Sequence, residues 1–426
     1  MQKKKSFNYV YVIIIICAIT IFMGLGFCSS SKKAFLAPIL GYNSHISEAL
    51  YGFSDTFRYA TTAIVNIFFG LLIAKLGVKK LMGAGFLAMT LSMLCYATST
   101  TVIGFYFAGI FLGLGIAWTT TTMVGYLINR WCTKNRGTIL GITLATNGLG
   151  ASFATLVFSP IAEATPAGYK TVYFIFAACA FLIGILAIIF IKDNTPENQP
   201  DSTTNNKKQR TNDWDGIDTK TAFKKLYFYL FLGGVFVTGI ALQSITTYDA
   251  KHLAEIGVPF EVYNPLMSVG MFILTFSKFL TGFMYDKLGL RKTITISYCA
   301  AIISLTILCL ITASSSTFAC ASYFILVDLA LPLETIMLPI YASDLFGKKN
   351  YNVFLGIVIS INTIGQALGS PLIGLCHDIF KNYSIALYIG LGLMVAAMLA
   401  IQYAIHASNK ERKKMELALQ SNEQLA

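Results

Sequence analysis

Six ionisable side chains stand inside long apolar runs of this chain: Lys32, Lys33, Arg58, Lys278, Asp328 and Glu334. A charged side chain at bilayer depth costs about 2.5–3.5 kcal/mol on an insertion scale, so such residues are functional candidates. Four of the six are basic and two acidic. That excess describes an electropositive interior and favours an anionic ligand. Buried carboxylates in turn suit a proton-coupling role, and Glu334 and Asp328 are the candidates for it.

Each residue also has a plainer role. Lys278, about 16 residues into its run, either contacts the ligand or forms a static pair with an acid, and Glu334 lies at similar depth. Asp55 stands three residues before Arg58 and can pair with it along a helix, the alternative being an outer gate or an anion contact. Lys32 and Lys33 can both snorkel to the outer interface. Adjacent helical residues point about 100° apart, so only one faces inward, and Lys33 is favoured. Asp328 precedes Glu334 by six residues, about 1.7 turns, and takes a different face. Pro332 just before Glu334 predicts a kinked helix. Trp118, Asn147 and Gln366 can hydrogen-bond a solute or act as interhelical glue.

These positions need a membrane scaffold. The chain has 426 residues, 55% hydrophobic and 12% charged, with mean hydropathy +0.66. Soluble domains carry about 25% charged residues, so a soluble enzyme is excluded. Twelve apolar runs are long enough to cross a bilayer. They are spans 1–12, over 9–38, 48–74, 81–99, 102–129, 137–162, 170–191, 226–250, 262–285, 293–313, 316–345, 352–378 and 383–406. The fold class is therefore an all-α membrane protein with twelve transmembrane helices. A polar stretch, 192–225, rich in Asn, Thr, Pro and charge, reads as a cytoplasmic linker. It separates an N-terminal six-helix bundle, 1–191, from a C-terminal one, 226–426, with a short cytoplasmic tail.

The net charge of +12 is read as topology and not as nucleic-acid binding. Of the 32 Lys and Arg, 25 fall on one side of the twelve-span arrangement and three on the other, which places both termini in the cytoplasm. Short loops suit a bacterial inner membrane. Nine cysteines without a CxxC pair read as small apolar thiols. No metal site, cofactor or phosphate-binding loop is expected, so the chain is not read as an enzyme. Gly109, Gly113, Gly115, Gly141 and Gly150 are expected to permit close helix packing.

The halves echo each other. Gly70-Leu-Leu-Ile-Ala-Lys75-Leu-Gly77-Val-Lys79-Lys80 matches Gly282-Phe-Met-Tyr-Asp286-Lys287-Leu-Gly289-Leu-Arg291-Lys292, 212 residues later. Gly141-Ile142, Asn147 and Leu149-Gly150 match Gly356-Ile357, Asn362 and Ile364-Gly365, 215 residues later. Two pseudo-symmetric six-helix bundles follow, as a rocking transporter needs.

The Gly282–Lys292 stretch resembles the 8–9 loop signature of the major facilitator superfamily; in the copy, Ala74 stands where the family usually has Asp. The resemblance implies gating by Gly70, Lys75, Gly77, Gly282, Asp286, Lys287, Gly289 and Arg291, with Asp286 latching against a basic residue or helix N-terminus. Arg130-Trp131…Arg136-Gly137…Gly141 and Asp344-Leu-Phe-Gly347…Tyr351…Gly356 are similar to stretches of the monocarboxylate and oxalate/formate transporter branch. There, an Arg at the Lys278 position binds the substrate carboxylate, and a span-1 Lys takes part. No Lys or Arg lies between Tyr351 and Asp378, a departure from oxalate carriers. The resemblance implies a monomeric, lipid-embedded secondary transporter of a small organic anion, a monocarboxylate above all. Proton symport or exchange with a counter-anion would drive it. A carrier of a sugar, amino acid or drug, or a transport-dead membrane sensor, are the alternatives.

Overall fold

In the computed structural model, residues 9–46, 48–132, 134–191, 216–312, 317–380 and 382–425 are described. Ten of their helices are long and apolar enough to cross a membrane. The remaining two of the twelve runs form helices Glu48–Ile67 and Phe260–Leu288. Glu48–Ile67 is an inside-out helix. Phe53, Phe57, Ile64 and Ile67 point outward while Ser54, Thr62 and Asn66 are buried, the reverse of a water-soluble helix, because lipid is its outer solvent.

The chain divides into two compact units, residues 1–62 with 71–211 and residues 63–70 with 212–426. The polar stretch ends in a capped turn. Asp218 accepts from the Lys220 amide, and the Ile217 amide donates to the Phe346 carbonyl at 3.0 Å, tying this end to the second unit.

The internal duplication is written into the backbone of each unit. Gly77 has φ 72°, ψ 170° and Gly289 has φ 81°, ψ 170°; only glycine takes this conformation without strain. A Cβ on Gly150 would lie 2.3 Å from the Phe22 carbonyl oxygen, and one on Gly365 would lie 2.3 Å from that of Phe236. Span 5 packs on span 1 as span 11 packs on span 7, at the same register. Spans 4 and 10 break at matching threonines, Thr120 (φ −100°, ψ −125°) and Thr335 (φ −129°, ψ −72°).

Candidate functional site

The polar residues gather where helices are broken. Span 1 passes from an α-helix, Tyr9–Ile21, into a π-helical turn, Phe22–Phe27, and a 3₁₀ segment, Ser30–Phe35. Span 4 is interrupted at Thr120, where the Thr119 and Thr120 hydroxyls both donate back to carbonyls four residues earlier, at 2.8 Å. Such back-bonding bends helices. Span 10 is interrupted by the 3₁₀ turn Leu331–Glu334 that Pro332 opens. Irregular backbone at membrane depth survives only inside protein or beside water, so these breaks mark the lined interior of each unit.

In the first unit the 3₁₀ segment delivers Lys32, 6% exposed, to three partners. Its ammonium donates to Ser54 Oγ at 3.0 Å, Asp55 Oδ1 at 3.0 Å and Tyr96 OH at 2.7 Å. All three N–H groups are thereby used. The cation also lies 4.7 Å and 5.3 Å from the ring centroids of Tyr96 and Tyr51, a favourable desolvated cation–π setting.

The same Asp55 oxygen accepts from Arg58 Nε at 3.1 Å. Arg58 Nη1 reaches Ser29 Oγ at 3.3 Å, and the guanidinium stacks 4.0 Å from the Tyr59 ring centroid. A guanidinium has five N–H donors, so the fork keeps donors unused among the described residues. Span 4 glycines set this geometry. A Cβ on Gly109 would fall 2.1 Å from the Ser54 carbonyl oxygen, and one on Gly113 2.6 Å from that of Arg58. Only hydrogen at those positions lets helix Glu48–Ile67 come this close.

Of the other residues expected in this unit, Asn147 accepts from Ser30 Oγ at 3.0 Å, so it braces the 3₁₀ segment. Trp118 lies two residues before the span 4 break at Thr120, with its indole Nε1 buried and unpartnered. The Lys33 side chain lies outside the described residues.

In the second unit Lys278 is 3% exposed. It forms no direct ion pair among the described residues, and the acid in its electrostatic reach is Asp328, not Glu334. The static Lys278–Glu334 pair is therefore replaced by a looser Lys278–Asp328 relation. The 3₁₀ turn Leu331–Glu334 after Ala330 also departs from the continuous helix on which that pair was expected. Glu334 is 8% exposed, with Oε1 lacking any hydrogen-bond partner. Gln366 faces the carboxyl group and donates to Asn362 Oδ1 at 3.2 Å.

Two acids alter the charge balance read from composition. Asp55, expected only as a partner for Arg58, also holds Lys32 across 23 residues of sequence. Asp249, at the end of span 7, is 6% exposed and accepts from Tyr323 OH at 3.0 Å. In the sequence, Lys251 and His252 make that end look like a loop and hide it. The general electropositive interior is thus corrected. Net positive charge belongs to the first unit, where Lys32 and Arg58 share Asp55. The second unit sets Asp249, Asp328 and Glu334 against Lys278.

At the loop motifs, Lys75, Lys287 and Arg291 are exposed and Asp286 is half-buried. Arg291 Nε donates to Gln402 Oε1 at 3.3 Å. Tyr285 OH donates to Asp344 Oδ1 at 2.7 Å, joining the ends of spans 8 and 10. Gly70 is the second residue of the helix Phe69–Thr98, and Gly282 is buried within Phe260–Leu288.

The Major Facilitator Superfamily family model matches residues 14–369 and 252–420. The chain belongs to the Major Facilitator Superfamily. It is a multi-pass membrane protein and a secondary transporter of that family. It is 25% identical over 292 residues to the uncharacterized MFS-type transporter YcxA of Bacillus subtilis (strain 168), covering 68% of each chain. Multidrug resistance protein 2 of the same organism is 22% identical over 416 residues, covering 92% of this chain and 96% of that one. Among solved structures, the fold is similar to the fucose:proton symporter FucP of E. coli, here in its outward conformation. The TM-score is 0.67 at 14% identity, covering 93% of this chain and 99% of that one. It is also similar to the proton:xylose symporter XylE, with TM-score 0.71 at 13% identity, covering 94% and 97%. Likeness at this identity shows the fold alone.

Proposed function

We propose that this facilitator moves a small organic anion, a monocarboxylate, across a bacterial cell membrane by alternating access. One observation carries the reading: two cations converge on a single carboxylate oxygen in the first unit, and Arg58 keeps donors unused. A place that already holds one carboxylate, with positive charge to spare, has the chemistry to hold another. The charge-assisted contact falls on Arg58, since the Lys32 ammonium is saturated. In the first unit Lys33, Trp118 and Asn147 complete the proposed solute contacts; in the second, Lys278 and Gln366 are proposed contacts of that unit.

Proton symport fits the second unit better than anion exchange does. Among the described residues its buried acids Asp249, Asp328 and Glu334 outnumber the buried ammonium of Lys278, and Glu334 Oε1 lacks a hydrogen-bond partner. Glu334 and Asp328 are the proposed coupling residues. The loop-motif residues, Gly70 to Gly77 and Gly282 to Arg291, are the proposed gates. The basic-residue asymmetry supports a cytoplasmic position for both termini and the 192–225 linker.

Uptake into proteoliposomes tests this. Labelled pyruvate or lactate should accumulate when an inward proton gradient is imposed, and fucose or xylose should not. Accumulation of the sugars with no carboxylate uptake would replace the anion by a neutral solute.

A further inference from the structure

The site described above has a built-in counter-ion, and that residue has no part so far beyond structure. Lys32 and Arg58 bring two positive charges. Asp55 Oδ1, at 3.0 and 3.1 Å from them, removes one. Their remaining polar partners, Ser29, Ser54 and Tyr96, are neutral. The cluster therefore offers one uncompensated positive charge. Asp55 is also placed to be more than a buried brace. Its side chain is 44% exposed, against 6% for Lys32 and 13% for Arg58. Both cations sit on the same oxygen, so Oδ2 carries no hydrogen bond among the described residues.

We propose that Asp55 is a specificity-determining residue that limits the site to monoanions. This rests on the anion reading above. A single carboxylate on Arg58 brings the cluster to neutrality. A dicarboxylate brings a second negative charge into a place ringed by Tyr51, Tyr96 and Tyr59, where burying an unpaired charge is costly. Selectivity then follows the count of charges, and it should change with that count whichever residue alters it.

The test is a charge cycle read by titration calorimetry on the purified full-length chain, with pyruvate and malonate as probes. The pH is one at which malonate carries two charges. The wild type should bind pyruvate roughly tenfold or more tighter than malonate, the worth of one charge-assisted contact. Asp55→Asn leaves two uncompensated charges and should shift the ratio toward malonate by roughly tenfold or more. Lys32→Met leaves none, and pyruvate should bind roughly tenfold weaker. Lys32→Met with Asp55→Asn restores the count to one, and both pyruvate binding and preference over malonate should return. This rescue by a second loss is not something a merely structural Asp55 produces. It decides the matter even where Asp55→Asn alone fails to give a monodisperse protein. An unchanged ratio in Asp55→Asn, or no rescue in the double variant, overturns the proposal while leaving the anion reading intact. A wild type that binds neither acid defeats the anion reading and this inference with it.

Discussion

Replacing Glu334 separates a coupling carboxylate from a structural one, because the two roles predict opposite signs. Glu334 is 8% exposed, and Oε1 is buried without a hydrogen-bond partner. Lys278, the nearby buried base, relates electrostatically to Asp328 instead. An unpartnered buried polar atom costs about 1–3 kcal/mol, so removing it should not destabilise the fold. Glu334→Leu should unfold with a free energy unchanged or up to about 3 kcal/mol higher. Glu334→Gln, which keeps the volume and the Gln366 contact, should be nearly neutral. Transport should respond differently. Both variants should still exchange labelled for unlabelled carboxylate with no gradient, yet fail to accumulate it when a proton gradient is imposed. Reversible unfolding in detergent gives the first quantity and proteoliposome uptake the second. A loss of about 3–5 kcal/mol, the usual cost of breaking a buried ion pair, with gradient-driven uptake intact, would refute the reasoning.

Three further outcomes follow from packing. Gly109→Val must push the backbone at Ser54 away, since even a Cβ would lie 2.1 Å from its carbonyl oxygen. Pyruvate affinity should fall and stability drop by about 1–3 kcal/mol, checked by calorimetry and thermal unfolding. Tyr323→Phe removes the 3.0 Å hydrogen bond to Asp249 and should cost about 1–3 kcal/mol of stability. Gly77→Ala and Gly289→Ala should each cost about 1–2 kcal/mol, because the two glycines share one positive-φ conformation. Unequal costs in unfolding experiments would deny the structural equivalence of the two motifs.

The scaffold is legible in the sequence because lipid imposes it. Apolar runs must be helices, and basic residues report sides. The duplicated Gly77 and Gly289 motifs reappear as one backbone conformation. The intramembrane charges are legible for the same reason, since nothing else charged survives in those runs. Their pairing is less so. Lys32 meets Asp55 from residues 30–35, which wind as a 3₁₀ segment, with about 120° per residue, where the reading from sequence assumes the 100° of an α-helix. Pro332 does announce the break in span 10, but the matching break at Thr120 has no proline. Its signal is the run Thr119–Thr122, whose hydroxyls compete for backbone carbonyls. Asp249 hides beside Lys251 and His252, and its burial and the hydrogen bond from Tyr323, 74 residues away, make it part of the interior.

The central claim is that Arg58 holds the carboxylate of the solute. Equilibrium binding of pyruvate to the purified wild type and to Arg58→Gln measures it directly. A charge-assisted hydrogen bond is worth about 1.5–3 kcal/mol, so the variant should bind roughly 10- to 150-fold more weakly while unfolding as a single monodisperse species. Equal affinity in the two proteins would contradict the account.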